Sequence, residues 1–273
     1  DDLDGRIDTD DPDCDGPEPV VPDSVQRFVP VDPTRLLDTR VGDDGDEPWG
    51  DGETRSVTVA GDGFPVPANA TAVVLNVTAV RPNADTHVTV WPAGEDQPTT
   101  SNLNLPSGTV RANLVTSMIG GNGISSGAVE VRNNSGTTDL VIDVVGYYAP
   151  DPWGGLFTPI DPVRALDSRD GTGGSDVPWG PGEQRDLVVA GPGAVAPEGA
   201  TAVVVNVTVV TPSQDTHLTF WSAGRTPPPS SNVNAVAGET AANLVLVGTG
   251  ADGAITIANN AGDADVLVDV VGF

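Results

Sequence analysis

The chain has two histidines, His87 and His217, and both lie in near-identical heptapeptides, DTHVTVW (Asp85 to Trp91) and DTHLTFW (Asp215 to Trp221). An aspartate two residues before an imidazole could orient a general base. No strained G-x-S-x-G nucleophile turn accompanies either copy, so a catalytic triad is not expected. One histidine per heptapeptide also leaves most ligand positions of a transition-metal site unfilled. Read as a strand, the heptapeptide alternates: Val88 and Val90 share one face, and His87, Thr89 and Trp91 share the other. In the second copy Leu218 and Phe220 oppose His217, Thr219 and Trp221. The apolar face is expected to point inward. That leaves His87, Trp91, His217 and Trp221 outside or at the sheet rim, where an aromatic platform beside hydrogen-bonding groups could meet a sugar or another protein. The plainer alternative is a rim-covering tryptophan and a histidine bonded to a loop carbonyl.

A second chemistry sits at the start of the chain. DDLDGRIDTDDPDCDG places Asp2, Asp4 and Asp8 in a D-x-D-G-x-x-D pattern, followed by Asp11 and Asp13. Hard oxygen ligands at alternating positions, with glycine where the chain must bend, suit Ca²⁺, the one cofactor expected here. A solvated acidic tail is the competing reading. Cys14 is the single cysteine and cannot form an internal disulfide.

A third set pairs opposite charges. The strands VVLNVTAV and LVIDVVGYY are apolar on both faces and are expected to be central, which buries Asp143 and its counterpart Asp269. A buried carboxylate needs a partner. Arginines recur at equivalent places as Arg35 and Arg164, Arg40 and Arg169, and Arg55 and Arg185. At least one of each set is expected to pair with the strand aspartate or with Asp38 and Asp167, a structural role rather than a ligand-binding one. The N-V-T asparagines Asn76 and Asn206 read as buried amides bonded to a neighbouring loop. Asn69 and Asn133 read as better exposed.

Formal charge is −27, from 39 acidic and 12 basic residues, and every basic residue is arginine. So negative a surface repels phosphate backbones and anionic lipid, arguing against nucleic-acid and membrane-surface partners. Without lysine, no Schiff base or Lys–Asn crosslink can form. No apolar run approaches the ~18 residues of a spanning helix. The start carries no signal-peptide pattern, and Asp1 reads as the edge of a mature chain or of a fragment.

The elements that must position these residues occur twice. An offset of 130 residues carries Asn76 onto Asn206, Trp49 onto Trp179, His87 onto His217, SNLN from Ser101 onto SNVN from Ser231, and ANLV from Ala112 onto ANLV from Ala242. PTRLLDTR (from Pro33) pairs with PVRALDSR, and LVIDVVGYY (from Leu140) with VLVDVVGF. The expected organisation is an Asp-rich segment over 1–16, a Pro-rich linker over 17–26, repeat one over 27–148, a stiff Pro/Gly linker over 149–155 and repeat two over 156–273. Short β-branched runs between turn signals predict eight or nine strands per repeat and no helix. The fold class is all-β: two tandem antiparallel β-sandwiches of Ig-like or jelly-roll type.

Two resemblances follow from these residues. DLDGRIDTDDPDC is similar to a thrombospondin type 3 or related Asp-rich calcium repeat, in which such cysteines commonly pair with those of adjacent repeats. The hallmarks FVPVDPTRLLDTR, AVVLNVTAV, SNLN, ANLV and DVVGYY resemble a module found, often in tandem, in secreted and surface proteins of actinobacteria. DTHVTVW departs from the Gly-Tyr-like residues usual there. That resemblance implies an extracellular or cell-surface setting and transfers no catalytic residue. The functional expectation is a non-catalytic spacer, stalk or adhesive module, calcium-stabilised and able to assemble into filaments. Its partners would be other copies of itself or adjacent domains of a parent protein. The rival expectation is a carbohydrate-binding module for cell-wall or environmental polysaccharide.

Overall fold

The computed structural model describes residues 25–41, 47–121, 126–151 and 154–273. Within them the first unit comprises β1 (Arg27–Asp38), β2 (Thr54–Thr58), β3 (Ala72–Val80), β4 (Thr86–Pro92), β5 (Leu103–Leu105), β6 (Val110–Met118), β7 (Ala128–Asn133) and β8 (Asp139–Ala149). The second comprises β9 (Pro159–Asp167), β10 (Gln184–Val188), β11 (Ala202–Val210), β12 (Thr216–Ser222), β13 (Val233–Ala235), β14 (Ala241–Gly248), β15 (Ala254–Asn259) and β16 (Asp265–Gly272).

Each unit is a sandwich of two four-stranded antiparallel sheets. The first is ordered β1-β8-β3-β6 over β2-β7-β4-β5, and the second β9-β16-β11-β14 over β10-β15-β12-β13. This double Greek-key order is a jelly roll, which decides between the two sandwich types. Phe28 and Leu36 lie on one long strand, β1, because register shifts at Pro30/Thr34 and Arg35/Leu37 let it bend while staying paired with β8.

Alternation builds the cores. Val73, Leu75 and Val77 of β3, Ile142 and Val144 of β8, and Val88 and Val90 of β4 meet inside the first sandwich. Val203, Val205 and Val207 meet Val266, Val268, Leu218 and Phe220 inside the second. Trp49 and Trp179 close equivalent ends of the two cores, each about 1% exposed, with indole N–H groups donating to the carbonyls of Val131 and Ile257. Arg55 and Arg185 stack over those rings at 4.3 and 4.0 Å and pair with Glu53 and Glu183.

Gly155, between the units, is tied to the first of them. It exchanges both backbone hydrogen bonds with Phe28, at 2.9 and 2.8 Å, and so forms an extra rung beside β1. Gly146 is required in β8 because a Cβ there would lie 2.3 Å from the Phe28 ring.

Candidate functional site: the seam between the units

The heptapeptide strands do not present a platform. The loop between β4 and β5 folds back over its own sheet. Thr89 donates to the carbonyl of Thr100, Trp91 donates its indole N–H to the carbonyl of Glu95, and the Val90 N–H donates to Asn102 Oδ1. Thr219, Trp221 and Phe220 repeat this with Ser230, Arg225 and Asn232. Trp91 and Trp221 are therefore buried, which corrects the expectation that they lie open at the surface. The inward face is as expected, and the exposure of the other was misjudged because alternation reports which side is apolar, not whether a loop covers the opposite side.

Most hallmark residues serve this framework. The carbonyls of Asn102 and Asn232 accept from the side-chain amides of Asn113 and Asn243, linking the SNLN-type and ANLV motifs. Asp85 and Asp215 each accept a loop N–H, from Ser107 and Ala237, rather than addressing an imidazole. Asn133 is not the exposed asparagine expected: it is fully buried, accepts from Thr86 and donates to the carbonyls of Gly50 and Gly136. Asn69 is exposed.

Two of the three charged sets lie on the outer face of the β1-β8-β3-β6 sheet and on its counterpart. The third, Arg55 and Arg185, lies on the opposite sheets and pairs with Glu53 and Glu183 rather than with the expected aspartates, because those glutamates are two residues away on the same strand approach. Arg35 Nε donates to Asp143 at 2.5 Å, and a second nitrogen pairs with Asp38. Arg40 also pairs with Asp38, at 2.7 Å. In the second unit Arg164 pairs with Asp269 at 2.5 Å and Asp167 at 2.7 Å, and Arg169 pairs with Asp167 at 2.7 Å. The Arg40 guanidinium holds the Asp38 carboxyl below the usual carboxylate range, and Arg169 does the same to Asp167 more strongly. Burial pushes Asp143 up, against the pull of Arg35.

The two faces differ in what covers them. The second unit sets its β12-β13-β14 edge on the outer face of the first. Asn76 donates to the carbonyl of Ser231 at 2.7 Å, and the third nitrogen of Arg35 donates to the carbonyl of Pro229. Phe28, Val74 and Val145 pack with Leu246, flanked by Leu114, Tyr148, Ala202 and Val204. Phe28 meets Tyr148 edge-on, with ring centroids 5.4 Å apart.

A cleft of about 440 Å³ opens along this seam, lined among others by Arg35, Arg40, Arg81, His217, Thr78 and Ser230. Burial, with a smaller contribution from the Arg40 charge, lowers the His217 pKa and favours the neutral imidazole. Arg81 reaches the cleft from a left-handed backbone, φ +46°, matched by Thr211 at +38°. Three buried side-chain oxygens lack a hydrogen-bond partner among the described residues: Thr78 Oγ1, Ser230 Oγ and Asp143 Oδ2. Thr78 and Ser230 line the cleft, and Asp143 lies beside it through Arg35. The one signal of this seam in the sequence is the shortness of the 149–155 linker.

The calcium expectation at Asp2, Asp4, Asp8, Asp11 and Asp13, and Cys14 with it, lies outside the described residues. Among the described residues no three His, Cys, Asp or Glu side chains gather as a metal-holding group. No helix there is long and apolar enough to cross a membrane.

No protein-family model matches the chain, and no curated protein does. Among solved structures, the cryo-EM structure of the T=3 Penaeus vannamei nodavirus matches at 9% identity over 90% of each chain, with a TM-score of 0.22. A likeness at that level adds nothing to the fold read from the strands themselves.

Proposed function

We propose that the chain is a non-catalytic structural module of a secreted or cell-surface protein, a rigid two-unit spacer that doubles as an assembly unit. The observation that carries this reading is the seam. Directional bonds from Asn76 and Arg35 to backbone carbonyls of the other unit, beside the Phe28–Leu246 contact, fix one mutual orientation. The paired backbone of Phe28 and Gly155 adds a further tie at the joint. The hallmark residues are consumed by internal bonds, so they build the body rather than address a substrate. The resemblance to tandem modules of actinobacterial secreted proteins supports the extracellular setting.

Small-angle X-ray scattering tests the spacer reading. At a dilution where the chain is monomeric, a rigid spacer gives one curve fitted by a single arrangement of the two units. A curve that requires a broad ensemble of unit orientations contradicts it. For the N-terminal segment the proposal is a Ca²⁺ site on its D-x-D-G-x-x-D spacing, checked by calorimetric titration of the chain and of its Asp4→Ala/Asp8→Ala variant. The titration expects binding in the first and loss in the second.

A further inference from the structure

The seam joins unlike surfaces. The first unit contributes the outer face of its β1-β8-β3-β6 sheet, called the acceptor surface because it receives the other unit although its Asn76 and Arg35 donate the hydrogen bonds, and the second contributes the edge and loop around β13, called the donor surface. Because the units are copies, the first unit carries an equivalent loop that the seam does not use, and the second carries an equivalent outer face of which only the Ala202, Val204 and Leu246 corner is engaged. The rest of that face, around Asn206, Arg164, Phe157 and Leu244, and the free loop remain available to another molecule. We propose that the chain associates head to tail with further copies of itself, the outer sheet face of the second unit receiving the 97–101 loop of the first unit of the next copy. This rests on the assembly-unit reading above and names its partner and its surface.

The two units form an internal comparison of the acceptor face covered and uncovered. Asn76 is 1% exposed and bonded to Ser231, whereas its counterpart Asn206 is half-buried and has no side-chain partner among the described residues. Phe28 is 7% exposed and its counterpart Phe157 54%. Leu114 packs into the seam, while Leu244 is 40% exposed. Arg35 sends one nitrogen to Pro229 and leaves Asp143 Oδ2 without a partner. In Arg164 the equivalent nitrogen falls back on Asp269 Oδ2 at 3.1 Å. This is what a guanidinium does when the carbonyl it would reach is missing.

The donor half is repeated too. In the second unit Ser230 is buried against the first, while in the first unit Thr99, Thr100 and Ser101 are all exposed. The acceptors supplied to the seam are the backbone carbonyls of Pro229 and Ser231, so Thr99 and Ser101 offer the same groups whatever their side chains. Thr116 stands where Leu246 does, and the contact between chains therefore lacks one apolar element and is weaker than the one within the chain. Two chains of charge −27 also repel each other, so salt favours their association.

Sedimentation velocity on the full chain, over rising protein and salt concentration, tests this. The expected result is a growing series of oligomers, promoted by salt. An acceptor-blocked variant, Asn206→Asp/Leu244→Asp, and a donor-blocked variant, Ser101→Trp, should each stay monomeric alone. Mixed in equal amounts they should give a 1:1 dimer and nothing larger, which also shows that both variants are folded. A wild type that stays monomeric throughout overturns the proposal. So does association that survives either block, or a mixture that yields no dimer. The monomer's frictional ratio, read in the same runs, reports separately on the spacer reading. A compact monomer that never associates sinks head-to-tail growth alone, and a loosely jointed one sinks both.

Discussion

The side-chain amide of Asn76 donates to the backbone carbonyl of Ser231 at 2.7 Å, across 155 residues and from one jelly roll to the other. Its sequence twin Asn206 makes no such bond. Identical residues in identical strands thus have unequal tasks, and the energetics should show it. Asn76→Ala leaves a carbonyl at the seam without its donor and should destabilise the chain by about 1–3 kcal/mol. Asn206→Ala should fall within about 0.5 kcal/mol of wild type. Denaturant unfolding of the two variants side by side measures the difference.

A parallel asymmetry holds for the arginines. Asp143 is buried and Arg35 is its main counter-charge, whereas the Asp269 side chain is 20% exposed beside Arg164. Arg35→Met strands a buried carboxylate and should cost about 3–5 kcal/mol. Arg164→Met should cost less, because water can reach Asp269. Adding Asp143→Leu to Arg35→Met should restore much of the loss, which a double-mutant cycle on melting temperatures would detect.

Mild acid should loosen the seam. Burial lowers the His217 pKa from its ordinary 6.5, so the neutral ring is the form the fold prefers. The resulting stability is present above 6.5 and is lost as pH falls through the lowered value. Arg35, Arg40 and Arg81 line the same cleft and oppose a further positive charge there. Melting temperature followed from about pH 7.5 to about pH 5 should fall in wild type and fall less in His217→Gln.

Stronger acid acts through the arginine-held carboxylates. Asp38 and Asp167 titrate below 3.8 in the fold, so their stabilisation is present above that value and disappears as pH drops through the lowered ones. Asp143 runs the other way: burial raises its pKa, so its contribution is present below 3.8 and is lost as pH rises through its folded value, partly offsetting Asp38 in the first unit. Asp167→Asn should therefore flatten the acid limb of stability more than Asp38→Asn, measured by unfolding at successive pH values.

The duplication, the absence of helix among the described residues and the strand positions were legible because they rest on local signals: β-branched runs, glycine-rich turns and a constant offset. The choice between Ig-like and jelly-roll order was not, since strand order depends on which non-local edges pair. Period-two alternation placed Val88 and Phe220 inward correctly and misjudged Trp91, because the loop that buries it bonds to its own sheet through Glu95 and Thr100. The carboxylates on apolar strands pointed to nearby arginines, and Arg35 and Arg164 lie against Asp143 and Asp269. The seam stayed hidden for a simple reason. Asn76 and Asn206 have the same neighbours in sequence, and only the packing of whole units makes one of them an interface residue.

The central claim is that the seam couples the two jelly rolls into one body, and calorimetric unfolding tests it most directly. The account predicts a single transition for wild type, with van't Hoff and calorimetric enthalpies that agree. It predicts that Phe28→Ala/Asn76→Ala splits this into two transitions as the units come apart. A wild-type profile already resolved into two independent transitions, unmoved by those substitutions, would contradict it.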